Sequence, residues 1–190
     1  MFRTLFLSAP LVVAASLAQA VDAPPAMRAF VEADVMSWAH SDQVLSAIIA
    51  QNAETAGSSE AQILEWDGEW RSQVGQASKP LIDQVMGRDL SKFLSEKVSA
   101  SGGRITEIFV MDALGLNVAA SGVTSDYWQG DEAKYSESYG AGSGAVFVDA
   151  VEFDESSQSY QGQISVSLTD PATGEVVGAM TIGLNAEAFF

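Results

Sequence analysis

The sequence predicts an α+β fold, in which a long N-terminal helix and further helices pack on a five-stranded antiparallel sheet. Three observations predict it. Apolar residues recur at three-to-four spacing through the first half, from Met27 to Val98. After Ser101-Gly102-Gly103 the pattern changes to short apolar and β-branched runs separated by turn residues. The last three runs are joined by short connections, which makes antiparallel neighbours of them.

The first twenty residues read as a secretory signal peptide. Arg3 precedes an apolar stretch broken by Pro10, and Ala18-Gln19-Ala20 offers small residues for cleavage after Ala20. The remainder, 21–190, is expected to form one domain, placed in the periplasm or secreted. Pro25 suits a first helical turn, because that turn has no use for its missing N–H. A long helix is predicted from Ala26 to about Ala53, on Met27, Val31, Val35, Trp38, Leu45 and Ile48. Ser59 and Gln62 have the spacing of a capping box, so a second helix is expected to run from there to Val74. Pro80 opens a third helical region, which Gly87 interrupts and Gly102-Gly103 ends. Strands are predicted over 104–111, 116–121, 145–153, 160–168 and 175–184. The connection 122–144 is polar, with a short helix expected around 131–137.

Composition narrows the function. The net charge is −16, which disfavours nucleic acid and anionic lipid as partners. There is no cysteine, so disulfides and thiolate chemistry are absent. His40 is the only histidine and sits in the predicted long helix. Neither the phosphate-binding nor the dinucleotide glycine motif occurs. No catalytic residue, cofactor or structural metal is expected. Asp149, Glu152, Asp154 and Glu155 are close in sequence, but their spacing does not match a twelve-residue calcium loop; a solvated acidic hairpin end is the default.

The run from Phe109 to Ser121, FVMDALGLNVAAS, is followed by Thr124 to Glu132, TSDYWQGDE. A turn at 170–174 then leads into the strand from Val176 to Leu184. In this order of elements the chain resembles the extracytoplasmic, PAS-like Cache sensor domains, over roughly 26–185. The resemblance implies a PAS-like sheet and a small ligand held between that sheet and the 122–144 connection. It also implies an amino acid, amine or organic acid as ligand, and a membrane signalling protein as partner. The alternative is an interaction module that uses the long helix for homodimerisation or docking.

Candidate ligand residues follow from the two readings together. The resemblance puts Tyr127, Trp128 and Asp131 first, since it implies ligand-contacting aromatic and acidic residues on a loop over the sheet; adjacent aromatics in a polar, glycine-bearing loop also combine apolar area with hydrogen-bonding tips. Lys134 and Tyr135 follow on the same segment. In the strand 145–153, strict alternation puts Phe147, Asp149, Val151 and Phe153 on one face. Asp149 is then either a ligand anchor or an acceptor for loop N–H groups. Met180 is the candidate from the last strand. Ser165 and Ser167 share a face with Gln161 and Gln163, and that face is expected to be wet.

Overall fold

The structure is a computed structural model and describes residues 21–22, 25–154 and 159–189. The expected signal peptide, 1–20, lies outside them, as do Pro24, Glu155 and Ser156. Among the described residues no helix is long and apolar enough to cross a membrane.

The predicted long helix is segmented. Helix α1 (Pro25–Phe30) runs through a π-helical turn, Val31–Val35, into α2 (Met36–Ala39). A bend at His40 and an extended Ser41 then separate it from α3 (Asp42–Thr55). The drift in apolar spacing is the cause: the wider π turn keeps Met27, Val31, Val35 and Ala39 on one buried line. Helix α4 (Glu60–Gln73) opens at Ser59, whose hydroxyl accepts from the Gln62 N–H at 3.3 Å. Helices α5 (Pro80–Met86) and α6 (Asp89–Ala100) follow.

The sheet is built from β1 (Val21–Asp22), β2 (Ile105–Met111), β3 (Asn117–Ala120), β4 (Val146–Val148), β5 (Ala150–Asp154), β6 (Ser159–Thr169) and β7 (Val176–Asn185). The short α7 (Ala133–Ser136) lies between β3 and β4. All pairings are antiparallel, in the order β1-β5-β6-β7-β2-β3, with β4 also on β6. The five predicted strands are all present in a PAS-like arrangement, although the third is split into β4 and β5.

That split corrects the expected face assignment. Val148 pairs with Ile164, but Glu152 pairs with Gln161, so one extra residue is inserted near Asp149. Directly opposed residues share a face, and a one-residue insertion reverses every side chain beyond it. Phe147, opposite Ser165, faces one way. Val151, which strict alternation placed with Phe147, instead packs with Val146 and Val148 on the other side.

The two faces of the sheet differ in chemistry. One is hydrocarbon: Ile108, Val110, Ile164, Val166, Met180 and Ile182 are sealed beneath the N-terminal helices and α6. Each such side chain, fully buried, contributes on the order of 1.5–3 kcal/mol. The other face carries the row Phe147, Ser165, Thr181, Phe109 and Ala120 across five strands. The connection 122–144 covers that second face.

Candidate functional site

The covering connection is held from below and from the side. Asp67 on α4 accepts from the Tyr127 and Trp128 backbone N–H groups at 3.0 and 3.1 Å, and pairs with Arg71 at 2.8 Å. Tyr127 is buried and stacks on Trp70, with ring centroids 5.4 Å apart. The Trp70 indole donates to the Thr124 carbonyl at 2.8 Å. The Trp128 indole donates to the Leu114 carbonyl at 2.8 Å and lies against Gly130, where an added Cβ would come within 2.3 Å of it. Tyr127 and Trp128 thus fasten the connection to α4 and to the β2–β3 turn; neither lines the space over the sheet.

That turn is fixed in its own right by Asp112, which is fully buried. Its Oδ1 accepts from the Leu114 and Leu116 N–H groups, and its Oδ2 from Gln51 Nε2 and Thr55 Oγ1, all at 2.8–3.1 Å. One side chain therefore ties α3 to the turn that carries Leu114 and Gly115.

Farther along, α7 and the turn that follows it lay Tyr135 and Tyr139 on the sheet. Tyr135 and Tyr139 stack at 5.0 Å and cover Phe109, Met111, Ala120 and Ala179. The Tyr135 hydroxyl donates to the Ala113 carbonyl at 2.7 Å. Burial pushes the Tyr135 phenol above its ordinary value, with Tyr139 and Asp112 adding to the rise. Beneath this cover Ser165 and Thr181 share a hydrogen bond at 2.9 Å. Both are fully buried and Ser167 nearly so. The expectation of a wet face fails there, because the tyrosines exclude water from that part of it.

Beyond the tyrosines the cover leaves a hollow of about 100 Å³. From the sheet it is lined by Glu107, Phe109 and Gln163, and from the connection by Thr124, Ser125, Gln129 and Lys134. Gly183 lies between Gln163 and Glu107 in the sheet register. A Cβ at Gly183 would sit 2.6 Å from Glu107 Cγ, so glycine is what lets the flanking side chains close over the strand. They do so through Gln163 Nε2, which donates to Glu107 Oε1 at 3.0 Å. Lys134 pairs with Glu132 at 2.9 Å, not with Asp131 or Glu137, and its ammonium lies 5.5 Å from the Phe109 ring centroid. The Lys134 side chain is only 16% exposed. Glu107 and Gln163 also line a wider, adjoining hollow of about 370 Å³, with Asp149, Glu152 and Gln161.

The candidates from sequence therefore separate. Lys134, Tyr135 and Phe147 lie on the covered face, and Lys134 lines the hollow. Asp149 is exposed, accepts from the Ala150 N–H at 2.8 Å and lines the adjoining hollow. Asp131 is exposed. Met180 lies in the hydrocarbon core on the opposite face, opposite Val110 and Val166, out of reach of the hollow. Glu107, Gln129 and Gln163 were missed. The available signal was polarity in alternation along a predicted strand, Gln161, Gln163, Ser165 and Ser167, opposite a glycine-bearing strand. Among the described residues no three acidic or histidine side chains gather to hold a metal ion.

No protein-family model matches the chain, and no curated protein matches it. Among solved structures it is similar to the sensor domain of the V. cholerae histidine kinase DctB. There the identity is 13% and the TM-score 0.43, over 86% of this chain and 53% of that one. It is similar to the ligand-binding domain of the Pseudomonas aeruginosa amino acid chemoreceptor PctC in complex with GABA. The identity is again 13% and the TM-score 0.38, over 76% and 61%. A third likeness is to the ligand-binding domain of the Campylobacter jejuni chemoreceptor Tlp3 in complex with 4-methylisoleucine, at 10% identity and TM-score 0.39, over 80% and 64%. The chain spans between half and two thirds of the length of these three structures. At this distance the likenesses assign it no function.

Proposed function

We propose that the chain is an exported, non-catalytic binding domain that senses a small polar molecule in the hollow between the sheet and the 122–144 connection. One observation carries the reading: a half-buried cation, Lys134, faces an acidic and amide-lined sheet surface across a hollow, on a fold whose other face is filled with hydrocarbon. A carboxylate on the ligand would meet Lys134, and an ammonium or hydroxyl would meet Glu107 and Gln163. Those two demands favour an amino acid or a hydroxylated organic acid over a simple amine. Phe109 supplies an apolar floor, as small-molecule sites generally do. The adjoining hollow, with Asp149 and Glu152, gives room for a longer polar group.

Binding would act on the connection. Thr124, Gln129 and Lys134 all belong to it, so a ligand that bridges them to the sheet favours the closed arrangement. A signalling partner could then read the shift, since only differential affinity for two states moves an equilibrium.

A thermal-unfolding screen of the chain against the L-amino acids, short hydroxy acids and amines tests the reading. The expected result is stabilisation by one chemical class, abolished by Lys134→Met and by Gln163→Leu. Stabilisation that persists in both variants, or none across the panel, would exclude this hollow as the site.

A further inference from the structure

A second cleft lies between α3 and the α5–α6 corner and shares no lining residue with the sheet hollow. Two adjoining spaces of about 410 and 210 Å³ meet there, with Gln51, Glu54, Gln84 and Arg88 common to both. The smaller is also walled by Trp66, Leu81 and Tyr127.

Arg88 stands out in this strongly acidic chain. Its Nη1 donates to Gln51 Oε1 at 2.5 Å and to the Val118 carbonyl at 2.6 Å, which fixes the plane of the guanidinium. It forms no ion pair among the described residues, and its Nε and Nη2 donate to none of them. Guanidinium has five donors in a rigid fork, and a fork held at one nitrogen can still present donors to a carboxylate. The walls beside it are flat and apolar: Trp66 is half-buried, and Tyr127 is held in place by its stack on Trp70. The Tyr127 phenol, like any phenol, is a neutral donor at physiological pH, and burial raises it further, to about 12. Glu54 is exposed and lines both spaces, where it would repel a second negative charge on a ligand.

We propose that this cleft is a second small-molecule site, built for a monocarboxylate with a flat apolar body, its carboxylate on Arg88 and its body between Trp66, Leu81 and Tyr127. It is independent of the sheet hollow and goes beyond the function proposed for it.

The test is a titration of the ¹⁵N-labelled chain with benzoate, and with benzamide as the uncharged isostere, followed by two-dimensional NMR. Saturable shifts are expected at the Trp66 indole and the Gln51 and Gln84 side-chain amides, with benzoate binding about tenfold more tightly than benzamide, the ratio of one charge-assisted contact. Arg88→Met should remove that preference. Because Arg88 also supports the fold through Gln51 and Val118, the exposed Glu54→Gln provides an independent arm and should tighten benzoate binding. Lys134→Met should leave benzoate binding unchanged, which separates this site from the sheet hollow. Absence of saturable shifts, equal affinity for the two probes, no gain in Glu54→Gln, or shifts confined to Glu107, Gln163 and Lys134 would each overturn the proposal.

Discussion

The two faces of the one sheet are packed in different ways. On the helix side, Ile108, Ile164, Met180 and Ile182 share one hydrocarbon core with the buried Val31, Val35, Val44 and Ile48 of the helices. On the other side, the same strands present Glu107, Gln163, Ser165 and Thr181 to a connection that brings back Tyr135, Tyr139, Lys134 and Gln129. Alternation along a strand is what permits this: each second residue belongs to a different environment. Close packing on one face supplies stability. Polar packing on the other gives up some of it and leaves the hollow beside Lys134 incompletely filled.

The comparison can be broken at several points. The largest effect is expected from Ile164→Ala on the helix face, a loss of about 2–5 kcal/mol in urea unfolding, because a buried aliphatic is replaced by a cavity. Asp112→Ala should come close behind, at about 3 kcal/mol. It removes the acceptor for Gln51, Thr55 and two turn N–H groups at once, and each donor stranded in the interior costs on the order of 1–3 kcal/mol. A cognate ligand at one hundred times its Kd should raise stability by about 2.7 kcal/mol. That gain should vanish in Lys134→Met, whose unliganded stability should fall by less than about 1 kcal/mol, since what it loses is chiefly a partly exposed pair with Glu132. Ser165→Ala, on the strand beside Ile164 but on the other face, should cost only about 1 kcal/mol for its bond to Thr181. If Ser165→Ala costs as much as Ile164→Ala, the two faces are packed alike and the contrast is lost.

Alkaline pH offers a smaller and more gradual test. The buried phenols of Tyr127 and Tyr135 have folded-state values raised above the ordinary 10.0. Their contribution is fully present below that value, because both states are then protonated. As pH rises past it, the unfolded chain releases protons that the folded chain retains, and stability falls toward the raised folded values. Unfolding midpoints should therefore begin to drop near pH 10 in the parent and drop less steeply in Tyr127→Phe. The same slope in both would place Tyr127 outside this linkage.

Much of the architecture was legible from periodicity, because periods of 3.6 and 2 report directly on helices and strands. The five strands, the turn at Asp112 to Gly115 and the short helix in the polar connection all follow from local pattern. Two kinds of event were not legible. The π-helical turn at Val31–Val35 and the inserted residue beside Asp149 each add one residue to an otherwise regular element. Such an insertion leaves composition unchanged while redirecting every later side chain, which is why Val151 changed faces. Tyr127 and Trp128 drew attention as aromatics in a polar loop, yet a buried acceptor from a distant helix, Asp67, turns that loop toward α4. No pattern local to the loop reveals a partner sixty residues away. Lys134 was legible as a charge on the covering segment; Glu107 and Gln163 required the register of three strands.

The most direct test of the account is an NMR titration of the ¹⁵N-labelled chain with the ligand class that stabilises it most. Saturable shifts clustered on the amides of Glu107, Phe109, Gln129, Lys134 and Gln163, with those of Ile164, Met180 and Ile182 little moved, are the predicted result. Shifts that saturate with the same Kd but centre on the helix-packed face, or spare Lys134 and Gln163 altogether, would contradict it.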